Sequence, residues 1–229
     1  MSKLHLLPVL GLVGLMLGGC ANPVVTSGEA IAIAESYRVH LWEPTAKNRF
    51  VGFDPDGVWV ETPDVSRSPY GWWMENVVNA GVPYKWGGFD SLRQFDKKIR
   101  EGYAAGDLYT LEKRSLLHAA VSRHAAGVDC SGYISRCLKM RRHYSTRELP
   151  ALCEPVDGLL ALKPGDLLNK QNDHVMLFAR YEKHRDGKLR AMVYQAGSAG
   201  EARVTKNAPT IEFLTTNGYV PMRYRRMRD

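Results

Sequence analysis

Apolar residues at 30, 31, 33, 34, 37 and 41 recur at the spacing of one helical face, so residues 29–41 are expected to form a helix. Residues 42–64 change character. Valine, aromatics, proline and glycine are frequent there, and Asp54-Pro55-Asp56-Gly57 has the composition of a turn between short strands. An Asp-x-Asp-Gly fragment also opens calcium loops, but no further acidic ligands follow to complete one. Residues 71–78 are expected to form a helix that delivers the chain to a turn at Tyr84. Trp72 and Trp73 within it, like Trp86 beyond it, suit either core packing or a substrate groove. Residues 92–103 carry a charged helical pattern, Gly106-Asp107 interrupts it, and residues 110–124 carry a second. The forty residues between Gly88 and Asp129 are too many for a structureless loop. A helical insertion over about 89–127 is therefore expected, acting as a lid or a substrate wall. A helix from Tyr133 to about Arg142 follows, then two strands, 174–180 and 189–195, joined through residues 182–188. There is no internal repeat or low-complexity segment.

The N-terminus bears on the compartment. Lys3, an apolar stretch over residues 4–17 and then Leu17-Gly18-Gly19-Cys20 have the layout of an export signal. The apolar stretch is shorter than the roughly 20 residues a spanning helix needs. The Leu-Gly-Gly-Cys ending resembles a bacterial lipobox. That resemblance implies that residues 1–20 are a lipoprotein signal segment, that Cys20 is acylated and anchors the chain in a membrane, and that Ala21, where inner-membrane retention uses Asp, directs it to the outer membrane facing the periplasm. Several acyl chains, at about 0.8 kcal/mol per buried CH₂, make an effectively stable anchor.

A hydrophobic content of 45% with 24% charged residues fits an ordinary globular protein over residues 21–229. The formal charge is +7, with basic residues gathered at 136–143 and at Arg223, Arg225, Arg226 and Arg228. That balance suits an anionic partner or a solvated surface, and the export signal argues against nucleic acid. Of the four cysteines, Cys20 is the lipid candidate and Cys130 the chemical one, leaving Cys137 and Cys153 either as a disulfide or as two buried thiols. No Cys-x-x-Cys pair or His/Cys spacing suggests zinc, and no motif calls for a cofactor.

The chemistry centres on Asp129-Cys130-Ser131-Gly132. Cys130 stands where a loop gives way to a helix, and unpaired N–H groups at a helix start favour thiolate, the nucleophilic form. A buried core cysteine is commoner by frequency, and the context is what shifts the balance. Asp129 is a candidate N-cap, the Cys130 N–H a candidate oxyanion donor, and Gly132 a place where chain or substrate approaches closely.

Four blocks in order, Pro83-Tyr84-Lys85-Trp86-Gly87-Gly88, Gly127 to Ile134, Leu162-Lys163-Pro164-Gly165-Asp166-Leu167 and His174-Val175-Met176-Leu177-Phe178, resemble the NlpC family of bacterial cell-wall cysteine peptidases, in the papain-like clan. The resemblance spans roughly residues 70–222. It implies an α+β, papain-like fold in which the Cys-bearing helix packs on an antiparallel sheet carrying the His. The whole of residues 21–229 would be one such catalytic domain, with an extension over about 21–69 and the insertion described above. The implied activity is cleavage of amide bonds in peptidoglycan stem peptides, commonly between D-glutamate and a diamino acid. Carried over by position, Cys130 is the nucleophile, His174 the base, and Tyr84 a hydroxyl close to the Cys. Asp129, Ser131, Gly132, Trp86 and Gly88 are the expected substrate-binding residues.

The family's third triad member is usually a second His, and here Gln195 occupies its place. A Gln carbonyl can accept the orienting hydrogen bond, as the Asn of a Cys-His-Asn triad does. Parity decides whether His174 and Gln195 share a face of the sheet. A four-residue loop sets them directly opposite, a two-residue Asp186-Gly187 turn keeps them on one face but about 13 Å apart, and an odd-length loop puts them on opposite faces. Asp173, His118 and His124 are weaker candidates. Two other functions fit the same residues: an amidase, thioesterase or acyltransferase acting on a lipid or small molecule, and a non-catalytic wall-binding lipoprotein.

Overall fold

The computed structural model describes residues 22–66, 71–197 and 200–229, so Cys20 and the signal segment lie outside the described residues. The second half of the chain builds a six-stranded antiparallel sheet. Its strands are β1 (Cys153–Pro155), β2 (Leu167–Lys170), β3 (His174–Lys183), β4 (Leu189–Ala196), β5 (Val204–Asn207) and β6 (Val220–Tyr224). Their order in space is β5-β4-β3-β2-β6-β1. The fold is α+β.

The central strands are apolar on both faces because both are covered. Val175, Leu177, Tyr194 and Ala196 face the main core, while Met176, Phe178, Ala191 and Val193 pack with Leu214 of helix α5 (Ile211–Thr216). Helices α1 (Ser27–Arg38) and α4 (Cys130–Cys137) cover the first face, and α4 packs on β3, β4 and α1. The Tyr133 hydroxyl donates to the Ala34 carbonyl at 2.9 Å, and the Tyr37 and Tyr133 rings meet edge to face. Helix α1 begins ahead of its apolar pattern because Thr26 and Glu29 form a reciprocal capping box.

The expected turn at 54–57 joins the strands Val51–Phe53 and Trp59–Glu61, and the Asp54 carboxylate accepts the Asp56 and Val58 N–H groups. Residues 71–78 are not helical. Trp72 N–H bonds to the Pro63 carbonyl and Trp73 C=O to the Val65 N–H, which commits that backbone to a bridge, and Asn76 adopts φ 55°. Trp73 is fully buried and Trp72 half-buried against Trp42, so both belong to the core and not to a groove.

Residues 89–127, expected as a helical insertion, contain α2 (Leu92–Arg100), capped by Ser91 and Gln94, and α3 (Leu111–Leu116), capped by Thr110. The second helical pattern stops short of 124 because Leu117 has φ 51°; a 3₁₀ turn at Leu117–Ala120 follows. Cys137 and Cys153 are both buried free thiols, without a disulfide. Among the described residues no helix is long and apolar enough to cross a membrane.

Candidate active site

Two of the motif blocks are physically joined. Lys85 N–H donates to the Val128 carbonyl at 3.0 Å, Val128 N–H to Pro83 at 3.2 Å, and Asp129 N–H to Gly88 at 3.0 Å. A Cβ on Gly132 would lie 1.9 Å from the Gly88 carbonyl oxygen, so only glycine lets the first turn of α4 seat there. Gly88 and Gly132, expected to bind substrate, are thus buried where the chain meets itself. The third block works at a distance: Asp166, almost fully buried, accepts both Arg223 donors at 2.7 Å and anchors β2 to β6 beside β3.

Cys130 is the first residue of α4, with Asp129 as N-cap accepting the Gly132 N–H at 2.6 Å. A cavity of about 470 Å³ opens over it, lined also by Tyr84, Trp86, Asp129, Ser131, His174 and Gln195. His118 and Arg114 of the 89–127 segment reach the same cavity, as does Tyr219, which no motif singles out. Asp173 is exposed and pairs with Lys170 at 2.7 Å, while its carbonyl lies 4.0 Å from the Cys130 sulphur.

The hairpin has the odd-length loop, and a bulge in the strand reverses its expected outcome. Lys183 pairs with Leu189, leaving the odd-length loop 184–188, which alone would put His174 and Gln195 on opposite faces. A register shift between Phe178 and Arg180 leaves Ala179 as a bulge, and beyond it Leu177 pairs with Tyr194. Continuing that register sets Gln195 across from Met176, on the same face as His174 and diagonal to it. His174 Nε2 and the Gln195 Oε1 oxygen are 2.6 Å apart. With the amide oxygen as acceptor, the ring proton sits on Nε2 and the lone pair on Nδ1.

Burial lowers the His174 pKa, and the Gln195 hydrogen bond offsets this only partly, so the imidazole rests neutral. The thiol departs from expectation. Burial first, and the neighbouring Asp129 carboxylate second, push Cys130 up to about 12, against the opposing pull of the Val175 and Ser131 N–H groups. The resting pair is therefore thiol and neutral imidazole, not an easily formed thiolate. Among the described residues no hydrogen bond joins the sulphur to the ring. Burial also raises the Tyr84 phenol, which keeps its proton and remains a donor.

His143 is a site residue that sequence reasoning missed. Its Nε2 lies 3.0 and 3.1 Å from the two Asp129 carboxylate oxygens and 3.1 Å from Ser131 Oγ, and it lines the cavity. Burial opposes its charge, but Asp129 outweighs burial and raises its pKa; the pairing in turn lowers that of Asp129. The expected helix to Arg142 would have carried His143 away. Instead α4 ends at Cys137, Lys139 turns the chain at φ 54°, and the reversal returns His143 to the cap of its own helix. The only local hint is Ser145-x-x-Glu148, a cap-like spacing for a new turn.

Elsewhere, Asp54, Asp56 and His124 bring ligand-type atoms within 4.8 Å of one another. Their carboxylates already serve the turn, Ser122 and Arg123, so the cluster reads as hairpin architecture. A scan against protein-family models found no match, and neither did searches of curated proteins and of solved structures.

Proposed function

We propose that the chain is a cysteine peptidase of the cell envelope that hydrolyses amide bonds in peptidoglycan stem peptides through a thioester on Cys130. The observation that carries this reading is the 2.6 Å contact between His174 Nε2 and the Gln195 oxygen, in the cavity that Cys130 floors from a helix start. The four ordered motif blocks supply the substrate class. The lipobox-like ending at Cys20 supplies the lipid anchor in the outer membrane, facing the periplasm.

Because both groups rest neutral, the first step is a transfer. The Cys130 proton passes to His174 Nδ1 as sulphur bonds to the acyl carbon, and the carbonyl becomes an oxyanion facing the Cys130 N–H and the Tyr84 hydroxyl. Collapse breaks the carbon–nitrogen bond, and the amine leaves with the proton returned by the imidazolium. Water, deprotonated by His174, then adds to the thioester, and the carboxyl product leaves as the thiol reforms. Gln195 holds the ring in the required tautomer throughout, giving orientation without a charge.

Replacing Cys130→Ala should abolish release of peptides from purified sacculi, with the fold intact by circular dichroism. Undiminished release would dispose of the assignment. The raised thiol pKa favours one competing reading, a wall-binding lipoprotein that keeps the fold without the chemistry. That reading requires Cys130 alkylation to follow a simple high-pH titration even with a bound acyl ligand, and wild type and Cys130→Ala to behave alike on sacculi.

A further inference from the structure

The insertion side of the cavity holds a cation with nothing to pair with. Arg114 of α3 is half-buried and lines the cavity, yet among the described residues it makes no ion pair and no side-chain hydrogen bond. The carboxylates of the cavity are already matched: Asp129 by His143 at 3.0 Å and Asp173 by Lys170 at 2.7 Å. Arg147, also in the lining, is bonded through its side chain among the described residues only to the neutral Asn172 side chain. The cavity that holds the nucleophile therefore also carries uncompensated positive charge in its lining.

The segment bearing Arg114 is fixed from both sides. Lys113 is buried in an ion pair with Asp107, and the Trp86 indole N–H donates to the Leu117 carbonyl at 3.2 Å. The Trp86 and Tyr109 rings, 5.6 Å apart and inclined at 59° to one another, form an aromatic wall of the cavity that Arg114 also lines. A planar fork of donors held partly out of water without a partner matches a carboxylate.

From this geometry we infer that Arg114, with the Trp86–Tyr109 wall, is an anion-binding subsite that selects acyl donors carrying a carboxylate beside the scissile group. This deepens the proposed hydrolase reading and rests on it for the position of the scissile bond. Binding tests it independently of turnover. Calorimetry on Cys130→Ala would compare N-acetyl-alanyl-glutamate amide with N-acetyl-alanyl-glutamine amide, which differ only in the side-chain carboxylate. The acid should bind at least about tenfold more tightly, the worth of a charge-assisted hydrogen bond. Arg114→Gln should bring the ratio close to one, and Arg114→Lys, which keeps charge but not the fork, should retain part of it. Equal binding of acid and amide, or a ratio that Arg114→Gln leaves unchanged, would overturn the subsite while leaving the hydrolase reading intact. Persistence of peptide release in Cys130→Ala would overturn the hydrolase reading while leaving the binding ratio legible.

Discussion

On the sheet side of the cavity, His174 and Gln195 stand on strands bonded to neighbours along both edges, β3 between β2 and β4, and β4 between β3 and β5. On the insertion side, backbone pairing is short: Ala104–Ala105 pairs with Ala125–Ala126, and single bridges join Lys85 to Asp107 and Phe89 to Val128. The segment around α3 that reaches the cavity is held chiefly by a small number of side-chain contacts: the Lys113–Asp107 pair, the Trp86–Leu117 bond and the packing of Trp86 on Tyr109. One buried Asp107 oxygen lacks any hydrogen-bond partner, so even this lock is incompletely satisfied. Backbone ladders hold position to fractions of an ångström, as proton transfer requires. Side-chain locks hold a surface that can differ between related chains without disturbing the reacting groups.

The sharpest way to break that contrast is Lys113→Ala. It leaves Asp107 buried without its cation and should cost about 3 kcal/mol by denaturant unfolding at neutral pH. Burial already pushes Asp107 up to about 6, the Lys113 charge pulling the other way, so the carboxyl can take up a proton once the cation is gone. The loss should therefore shrink at about pH 5, and a loss that grows on acidification would contradict the lock. On the sheet side, Gln195→Ala should lower turnover by roughly tenfold or more with little change in stability, as a lost tautomer constraint does. Gln195→His should preserve turnover; equal rates for Gln and Ala would mean the residue orients nothing. The smallest effect belongs to the pair at the cavity floor. His143, raised by Asp129, stabilises the fold fully below the unfolded histidine pKa and loses that contribution as pH rises through its folded value. Asp129, lowered by His143, contributes above the unfolded aspartate pKa and loses it as pH falls through its folded value. The stability difference between wild type and His143→Gln should accordingly peak between about pH 4 and 6.5. A flat difference across that range would show the pair to be inert.

Helix α1, the 54–57 turn, the start of α4 and the two long strands were legible because each depends on its own residues. Thr26 and Glu29 cap, Asp54 folds back on its own backbone, and Asp129 caps α4. The tryptophan segment at 71–78 was not, since its amides go to Pro63 and Val65, and no local pattern announces a partner in an earlier strand-like stretch. His143 was hidden for a similar reason: its place follows from where α4 stops, and the helical pattern runs past that point. The thiol's pKa was misjudged because a helix start announces its amide groups in sequence, whereas the depth of burial that opposes them does not appear there.

The single surplus residue at Ala179 has a consequence for how this hairpin can vary. It isolates the tip, residues 184–188, from the end of β3 that carries the imidazole. Excision of that residue would exchange inside for outside along the segment leading back to His174, turning the ring away from its amide partner. Residues 184–188 are exposed, so a label or a longer connection grafted there makes the hairpin an addressable handle remote from the imidazole.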